Sequence, residues 1–276
     1  MLYDLHTHSV FSDGSWTPTE IVKAAAQRQL VAALTDHNTV SGLPEFMAAA
    51  QALGVEAIPG IEFSSDYRGK DTHVVALFVR ESDHAAIRDF AAEGDRLKVE
   101  SNKKLVARLR QAGYEIDYDT IVALTPDGRV NRANIANALV EKGYVATVKE
   151  AFSTLLGEKH GYYVPPKRTS TLDTISFIRS LGALPVLAHP LLTFDPETLL
   201  ELLPGAVERG LMAMETRYST YDGETVALAQ RIAADFGLLE SGGSDFHGQV
   251  KPHIDLGQTG VDQETFRKLK DAWMQL

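Results

Sequence analysis

The chain contains no cysteine. Disulfides, thiolate metal sites and a cysteine nucleophile are therefore excluded, a composition that suits a cytoplasmic protein. No apolar run approaches the ~20 residues that a membrane-spanning helix requires, so no membrane partner is expected. The first residues, MLYDLHTHS, carry neither a basic segment nor an apolar stretch, and no secretory signal is expected there. Positive charge is in deficit, with 27 Lys and Arg against 37 Asp and Glu and a formal net charge of −10. That balance disfavours non-specific binding to duplex DNA, although a locally basic groove is compatible with it. Internal repeats and low-complexity tracts are also missing. What is present is ordinary globular material: 276 residues, 44% hydrophobic and 23% charged, enough for one large domain or two small ones.

Short β-branched or apolar runs recur along the chain, most of them followed by a helical pattern. Strands are expected at Leu2–Leu5, Val31–Leu34, Val55–Ile61, Thr72–Val79, Ala183–Ala188, Leu211–Met214 and Leu238–Glu240. Helices are expected from Thr17, a plausible N-cap before Pro18, at Pro44–Leu53 before Gly54, near Leu172–Leu181, Pro196–Leu203 and Gly223–Phe236, and from Gln263. Seven strands alternating with helices indicate an α/β fold around a parallel sheet, open or closed. Residues 82–168 interrupt the rhythm with a long charged helix (Asp83–Gln111), a Thr-Pro-Asp-Gly turn and helices near Ala133–Lys142 and Ala146–Leu156. Their charge balance is slightly positive within an acidic chain. The expected organisation is a discontinuous α/β domain, 1–81 with 169–276, carrying a small helical insertion at 82–168 that could serve as a substrate lid.

Five of the nine histidines fall where strands end and a sixth where one begins, together with acids. His6 and His8 follow the first strand, with Asp13 in the next loop (HTHSVFSDG); His37 ends the second (TDH); Glu62 ends the third (PGIEFS). His73 opens the fourth, His189 ends the fifth (LAHP), and Asp245 and His247 follow the seventh (SGGSDFHG). Residues i and i+2 of a strand point the same way, so the His6/His8 and Asp245/His247 pairs can each present two ligands to one site. The C-terminal ends of strands are where α/β sheets and barrels gather active-site groups. Imidazoles and carboxylates without thiolate suit Zn, Mn, Fe or Co. Singly, each residue has an ordinary reading: a polar loop, an Asx turn, or for Glu62 a surface pair with Lys70. Recurrence at successive strand ends is what those readings leave unexplained.

These motifs together resemble the PHP (polymerase and histidinol phosphatase) superfamily of metal-dependent phosphoesterases. The insertion and NRANIANALVEKGYV resemble its branch acting on small nucleotides, which includes nucleoside 3′,5′-bisphosphate phosphatases and 5′–3′ exoribonucleases of short RNA. The resemblance implies a distorted (β/α)7 barrel, cytoplasmic hydrolase activity, and two to three divalent ions, with Mn, Zn or Fe as candidates. It assigns His6, His8, Glu62 and Asp245 to one ion, His73 and His189 with a shared Glu62 to a second, and Asp13, His37 and His247 to a third. Glu62, Asp245 and His189 would be the catalytic ligands. Asp36, beside His37, would orient an imidazole or cap the strand end.

Arg132 matches an arginine that contacts phosphate in that branch, followed here by Ala133 and Asn134 in place of Pro and His. It is assigned to both catalysis and substrate binding; the alternative is a surface pair with Asp127. Lys159, His160 and Lys167 form a second candidate substrate-binding cluster, with Tyr162 and Tyr163 available to stack on a base; a solvated loop is the alternative. The expected partner is a small nucleotide or a short single-stranded RNA or DNA, with no obligatory protein partner evident. Competing functions are a histidinol-phosphate phosphatase, whose small substrate gives a large insertion no role, an exonuclease module acting on nucleic acid, and a metal-binding protein without catalysis.

Overall fold

The β-branched and apolar runs form the wall of a barrel. The computed structural model describes residues 1–125, 130–166 and 169–276. In chain order its strands are β1 (Leu2–Asp4), β2 (Leu30–Leu34), β3 (Ile58–Tyr67), β4 (Lys70–Leu77), β5 (Leu184–Leu187), β6 (Ala213–Tyr218), β7 (Leu239–Gly243) and β8 (Val261–Asp262). They form one sheet in the order β7-β6-β5-β4-β3-β2-β1-β8. The sheet closes through β1 and β7, whose extensions pair in parallel at Thr7 and Phe246. At that seam the Asp245 N–H donates to the His6 carbonyl at 2.9 Å, and the His8 N–H to the Phe246 carbonyl at 2.9 Å. Gly243 is required here, since a Cβ at this position would lie 2.4 Å from the His6 backbone nitrogen.

The expected sheet was parallel throughout, but β4 runs against both β3 and β5. The cause is local. Parallel neighbours need a crossover of a dozen or more residues, and only Arg68 and Gly69 separate β3 from β4. Both have positive φ, 53° and 82°, the geometry of a tight hairpin turn. The hairpin also extends β3 to Tyr67, so Glu62 and His73 lie within strands rather than at their ends.

The helices are α1 (Pro18–Gln27), α2 (Leu43–Leu53), α3 (His84–Gln111), α4 (Tyr118–Leu124), α5 (Arg132–Glu141), α6 (Val148–Ala151), α7 (Thr171–Ser180), α8 (Pro190–Thr193), α9 (Pro196–Glu208), α10 (Gly223–Asp235) and α11 (Gln263–Trp273). Thr17 caps α1 in a reciprocal capping box with Glu20, and Gly54 ends α2 in the left-handed conformation. The barrel core gathers Tyr3, Val31, Ile58, Val75, Val186 and Ala213. Where β1 begins and β4 finishes, α11 seals the barrel, with Phe266 stacked on Tyr3 at 4.0 Å and Trp273 on Phe78 at 4.6 Å. Burying a side chain such as Phe266 contributes about 1.5–3 kcal/mol.

The chain divides into two compact units, Met1–Asp89 with Thr169–Leu276, and Phe90–Arg168. The division falls inside α3, later than the residue 81/82 boundary expected from sequence. The second unit has its own apolar core, which includes Leu105, Leu109, Ile135, Leu139 and Leu156. The helix expected over 146–156 is α6 followed by a wider π-type turn at Phe152–Leu156. The Pro-Asp-Gly portion of the expected turn lies outside the described residues. Among those described, no helix is long and apolar enough to cross a membrane.

Candidate metal centre

The β1–β7 seam sets His6 and His8 beside Asp245 and His247. His6 Nε2 and His8 Nε2 approach to 3.1 Å, and each lies 3.2 Å from Glu62 Oε2. Asp245 Oδ1 is 3.2 Å from His8 Nε2 and 3.6 Å from His6 Nε2. The other Glu62 oxygen, Oε1, meets His73 Nδ1 at 2.9 Å and His189 Nε2 at 3.1 Å. Register accounts for the His73 contact: Glu62 lies opposite Val75, which makes His73 its diagonal neighbour across the hairpin. His37 bridges to Glu62 through the backbone and brings Nδ1 to 3.1 Å from Oε2. Asp13 lies 3.2 Å from His247 Nε2, 3.7 Å from His8 Nδ1 and 3.8 Å from His37 Nε2.

All nine candidate ligands thus fall in one connected cluster, within which four sets of donor atoms converge: His8/Asp13/His37/His247, His6/Glu62/His189, His6/His8/Asp245 and His37/Glu62/His73. This geometry differs from the sequence-derived partition in three places, the first being that His6 converges with His189 on Glu62. His8 also faces the Asp13 group, and His37 also faces Glu62. Lys70, the alternative partner of Glu62, pairs instead with Asp195 at 3.3 Å.

The electrostatics are those of a cation trap. Burial opposes the charge on Glu62, but His6, His37 and His73 outweigh it and hold the carboxyl well below its usual range. Asp245 is held low against its burial by the His8 hydrogen bond and the neighbouring imidazoles. Burial likewise opposes a charged His8, yet the neighbouring Asp245 and Glu62 carboxylates raise its pKa to about 9. His37 goes the other way, lowered by burial to about 3. Four buried side-chain atoms among the described residues have no hydrogen-bond partner, and three belong to this cluster: His37 Nδ1, Glu62 Oε2 and His189 Nδ1. An unmatched buried polar group costs about 1–3 kcal/mol. Converging, partly unmatched donors made of imidazole and carboxylate without sulfur fit divalent cations of the Zn, Mn or Fe type. His189 and Asp245 hold positive φ, 28° and 57°, a backbone strain that concentrates at functional sites.

Several supporting residues escaped the sequence reading. Glu215, buried on β6, accepts from His6 Nδ1 at 2.8 Å and from the His189 N–H at 2.6 Å. The signal was available, because Glu215 is the residue immediately after an expected strand, as are several of the ligands. Tyr218 Oη and Lys251 Nζ both donate to Asp245 Oδ2 at 2.7 Å, which leaves Oδ1 facing the imidazoles. Asp4 accepts from the Ser244 N–H and Oγ, and burial raises its pKa to about 6. Asp36 meets no imidazole directly, but reaches one through Ser12 Oγ, 3.5 Å from His8 Nδ1. Its oxygens accept from the Ser9 N–H, Ser9 Oγ and Ser12 Oγ, each at 2.7 Å, and so pin the loop after His8.

In the second unit, Arg132 opens α5 with its guanidinium 4.2 Å from the Tyr163 ring centroid and 5.6 Å from that of Phe152. Among the described residues no carboxylate pairs with it; Asp127 lies outside them. Lys159 and His160 occupy a short turn, Glu158–His160, and Lys167 lies outside the described residues. The base-stacking role expected of Tyr163 is not supported. Tyr163 is buried beneath Arg132, and Tyr162 packs against the same apolar core, because their rings supply surface that this small unit needs to bury.

Fold and site define a metal-dependent phosphoesterase. Residues 4–163 match the PHP domain, and the chain belongs to the PHP family. It is 33% identical over 247 residues to a 5′-3′ exoribonuclease of Haemophilus influenzae, covering 89% of each chain. It is 31% identical over 264 residues to a 3′,5′-nucleoside bisphosphate phosphatase of Chromobacterium violaceum, covering 93% of this chain and 90% of that one. A solved structure from Bifidobacterium adolescentis, assigned as a metal-dependent phosphoesterase, superposes with a TM-score of 0.77 at 30% identity, covering 97% of this chain and 94% of that one.

Proposed function

We propose that the chain hydrolyses phosphate esters of small nucleotides, a nucleoside 3′,5′-bisphosphate or AMP-like monoester or the 5′ end of a short oligonucleotide, with two to three divalent ions held by the nine-residue cluster. The observation that carries this reading is the convergence of Glu62 with five imidazoles and Asp245 nearby, with three buried polar atoms unmatched. The relatives' names supply the substrate class. A cytoplasmic setting belongs to the same proposal.

His6, His8, Glu62 and Asp245 would hold one ion, Glu62 with His73 and His189 a second, and Asp13, His37 and His247 a third. Bound divalent ions supply Lewis acidity toward a phosphoryl oxygen and toward water. The chain's own residues do the rest. Glu62 turns one oxygen to His6, His8 and His37 and the other to His73 and His189, so a single carboxylate fixes the spacing between ligand groups. Tyr218 and Lys251 occupy Asp245 Oδ2, restricting it to Oδ1 as a donor. Arg132, permanently charged and backed by aromatic faces, presents a planar donor fork suited to phosphate, and Lys159, His160 and Lys167 join it as substrate-binding candidates.

A panel of adenosine 3′,5′-bisphosphate, AMP, histidinol phosphate and a short 5′-phosphorylated RNA tests the proposal. Orthophosphate or mononucleotide release from the nucleotides is expected. Turnover of histidinol phosphate alone overturns the substrate class, and turnover of none overturns the activity.

A further inference from the structure

Glu215 is a fully buried carboxylate outside the nine candidate ligands, and both of its oxygens are spent on two of them. Oε1 accepts from the His6 ring and Oε2 from the His189 backbone N–H. Its aim is built into the sheet. The β6–β7 register slips between Glu215 and Arg217, pairing them with Ser241 and Gly242 so that Thr216 is the extra residue. Such bulges re-aim side chains beside functional sites. On the receiving side, His189 holds a φ of 28°, and its N–H is the group that Glu215 grips.

A carboxylate can only accept, so the proton between Glu215 and His6 sits on His6 Nδ1. In the neutral ring that ligation requires, this fixes the His6 tautomer, with the lone pair on Nε2, the atom facing His8 and Glu62. The same carboxylate anchors the backbone that carries His189, which converges with His6 and Glu62 in one set, while His6 also belongs to a second set with His8 and Asp245. We infer that Glu215 is a positioning residue that couples two metal positions, those on either side of Glu62, while the Asp13/His37/His247 position is independent of it. This rests on the metal-site reading proposed above.

Glu215→Gln separates the roles. The glutamine carbonyl can still accept from the His189 N–H, but its NH2 then faces His6 Nδ1 and demands an acceptor there. The His6 proton would move to Nε2 and block ligation. Titration of metal-free protein with Mn²⁺, followed by elemental analysis, should show two equivalents in the variant weakened by about 10–100-fold, with the remaining equivalent unchanged. Glu240→Gln serves as a control, since this carboxylate of the same sheet bonds Thr216, Arg217 and Gln230 and touches no candidate ligand. It should bind Mn²⁺ as wild type does. Equal weakening of all equivalents in Glu215→Gln, or of none, overturns the inference. A wild-type protein that binds no Mn²⁺ overturns the metal reading itself. Should the variant fail to fold, long-range ¹⁵N–¹H spectra of zinc-loaded wild type decide the matter. A His6 ring protonated at Nδ1 supports the role of Glu215, and one protonated at Nε2 overturns it.

Discussion

The barrel and the insertion bury different things. One end of the barrel buries Asp4, His6, His8, Glu62, Glu215 and Asp245 against one another. The described residues of 90–168 include no fully buried carboxylate or histidine, although His160 Nε2 is sheltered; Ser101, Asn102 and Thr125 are their buried polar residues. The insertion is an apolar and aromatic core in miniature, with its cation, Arg132, laid on ring faces. A protein built for stability alone would resemble the insertion, because burying charge costs several kcal/mol per ion unless partners compensate. The barrel's polar end therefore reports where selection has favoured chemistry over packing.

That contrast breaks most severely if metal is unnecessary. Exhaustive chelation should abolish hydrolysis, and Mn²⁺ or Zn²⁺ should restore part of it; full turnover by protein verified metal-free would remove the rationale for the buried charges. Next in size is Glu62→Gln. Because Glu62 serves ligand groups on both its oxygens, kcat should fall by more than about a hundredfold, beyond what loss of an outer partner costs. Elemental analysis should show more than one metal equivalent lost, and wild-type stoichiometry would refute the bridging role. Arg132→Ala tests the other region. A lost charge-assisted contact to phosphate should cost at least about 2 kcal/mol in kcat/KM, roughly thirtyfold. Metal content should be unchanged, and the stability loss should stay within about 1 kcal/mol, the worth of the contact with Tyr163. A variant that hydrolyses nucleotides normally would return Arg132 to a structural role.

The smallest effect concerns pH. In metal-free protein, His8 binds its proton more tightly when folded, with a pKa of about 9 against an ordinary 6.5. The folded state then holds more protons than the unfolded state between those values, so this contribution is complete below pH 6.5 and lost as pH rises through 9. Thermal melts in chelator should shift down by a few degrees across that window. Metal-loaded protein, in which the proton has been displaced, should not show the same fall, and parallel curves would contradict this account.

The barrel's strands and the convergence of the nine candidate ligands were legible because both obey short periods. His-x-His and Asp-x-His need only the two-residue repeat of a strand, and acids at strand ends stand out against apolar runs. The inversion of β4 was not legible from apolar pattern, since Ile58–Tyr67 and Lys70–Leu77 look alike whether parallel or antiparallel. The Arg68–Gly69 link was the available clue, and it speaks through turn geometry rather than hydrophobicity. Glu215 could have been found by the strand-end criterion, whereas the partnership of Asp36 with Ser9 and Ser12 depends on tertiary contacts between loops. Tyr163 misled because exposed and buried aromatics look the same in sequence.

The hairpin has a further consequence. His73 reaches Glu62 only because a two-residue turn sets which residues of β4 stand opposite β3. Lengthening that turn by one residue would slide the pairing by one step, and a one-step slide turns every side chain of the strand to its other face. His73 would then point away from Glu62, and Thr72 or Val74 would take its place. The turn acts as a ruler: Arg68 and Gly69 approach no candidate ligand, yet the number of residues between the strands sets the spacing of the donors.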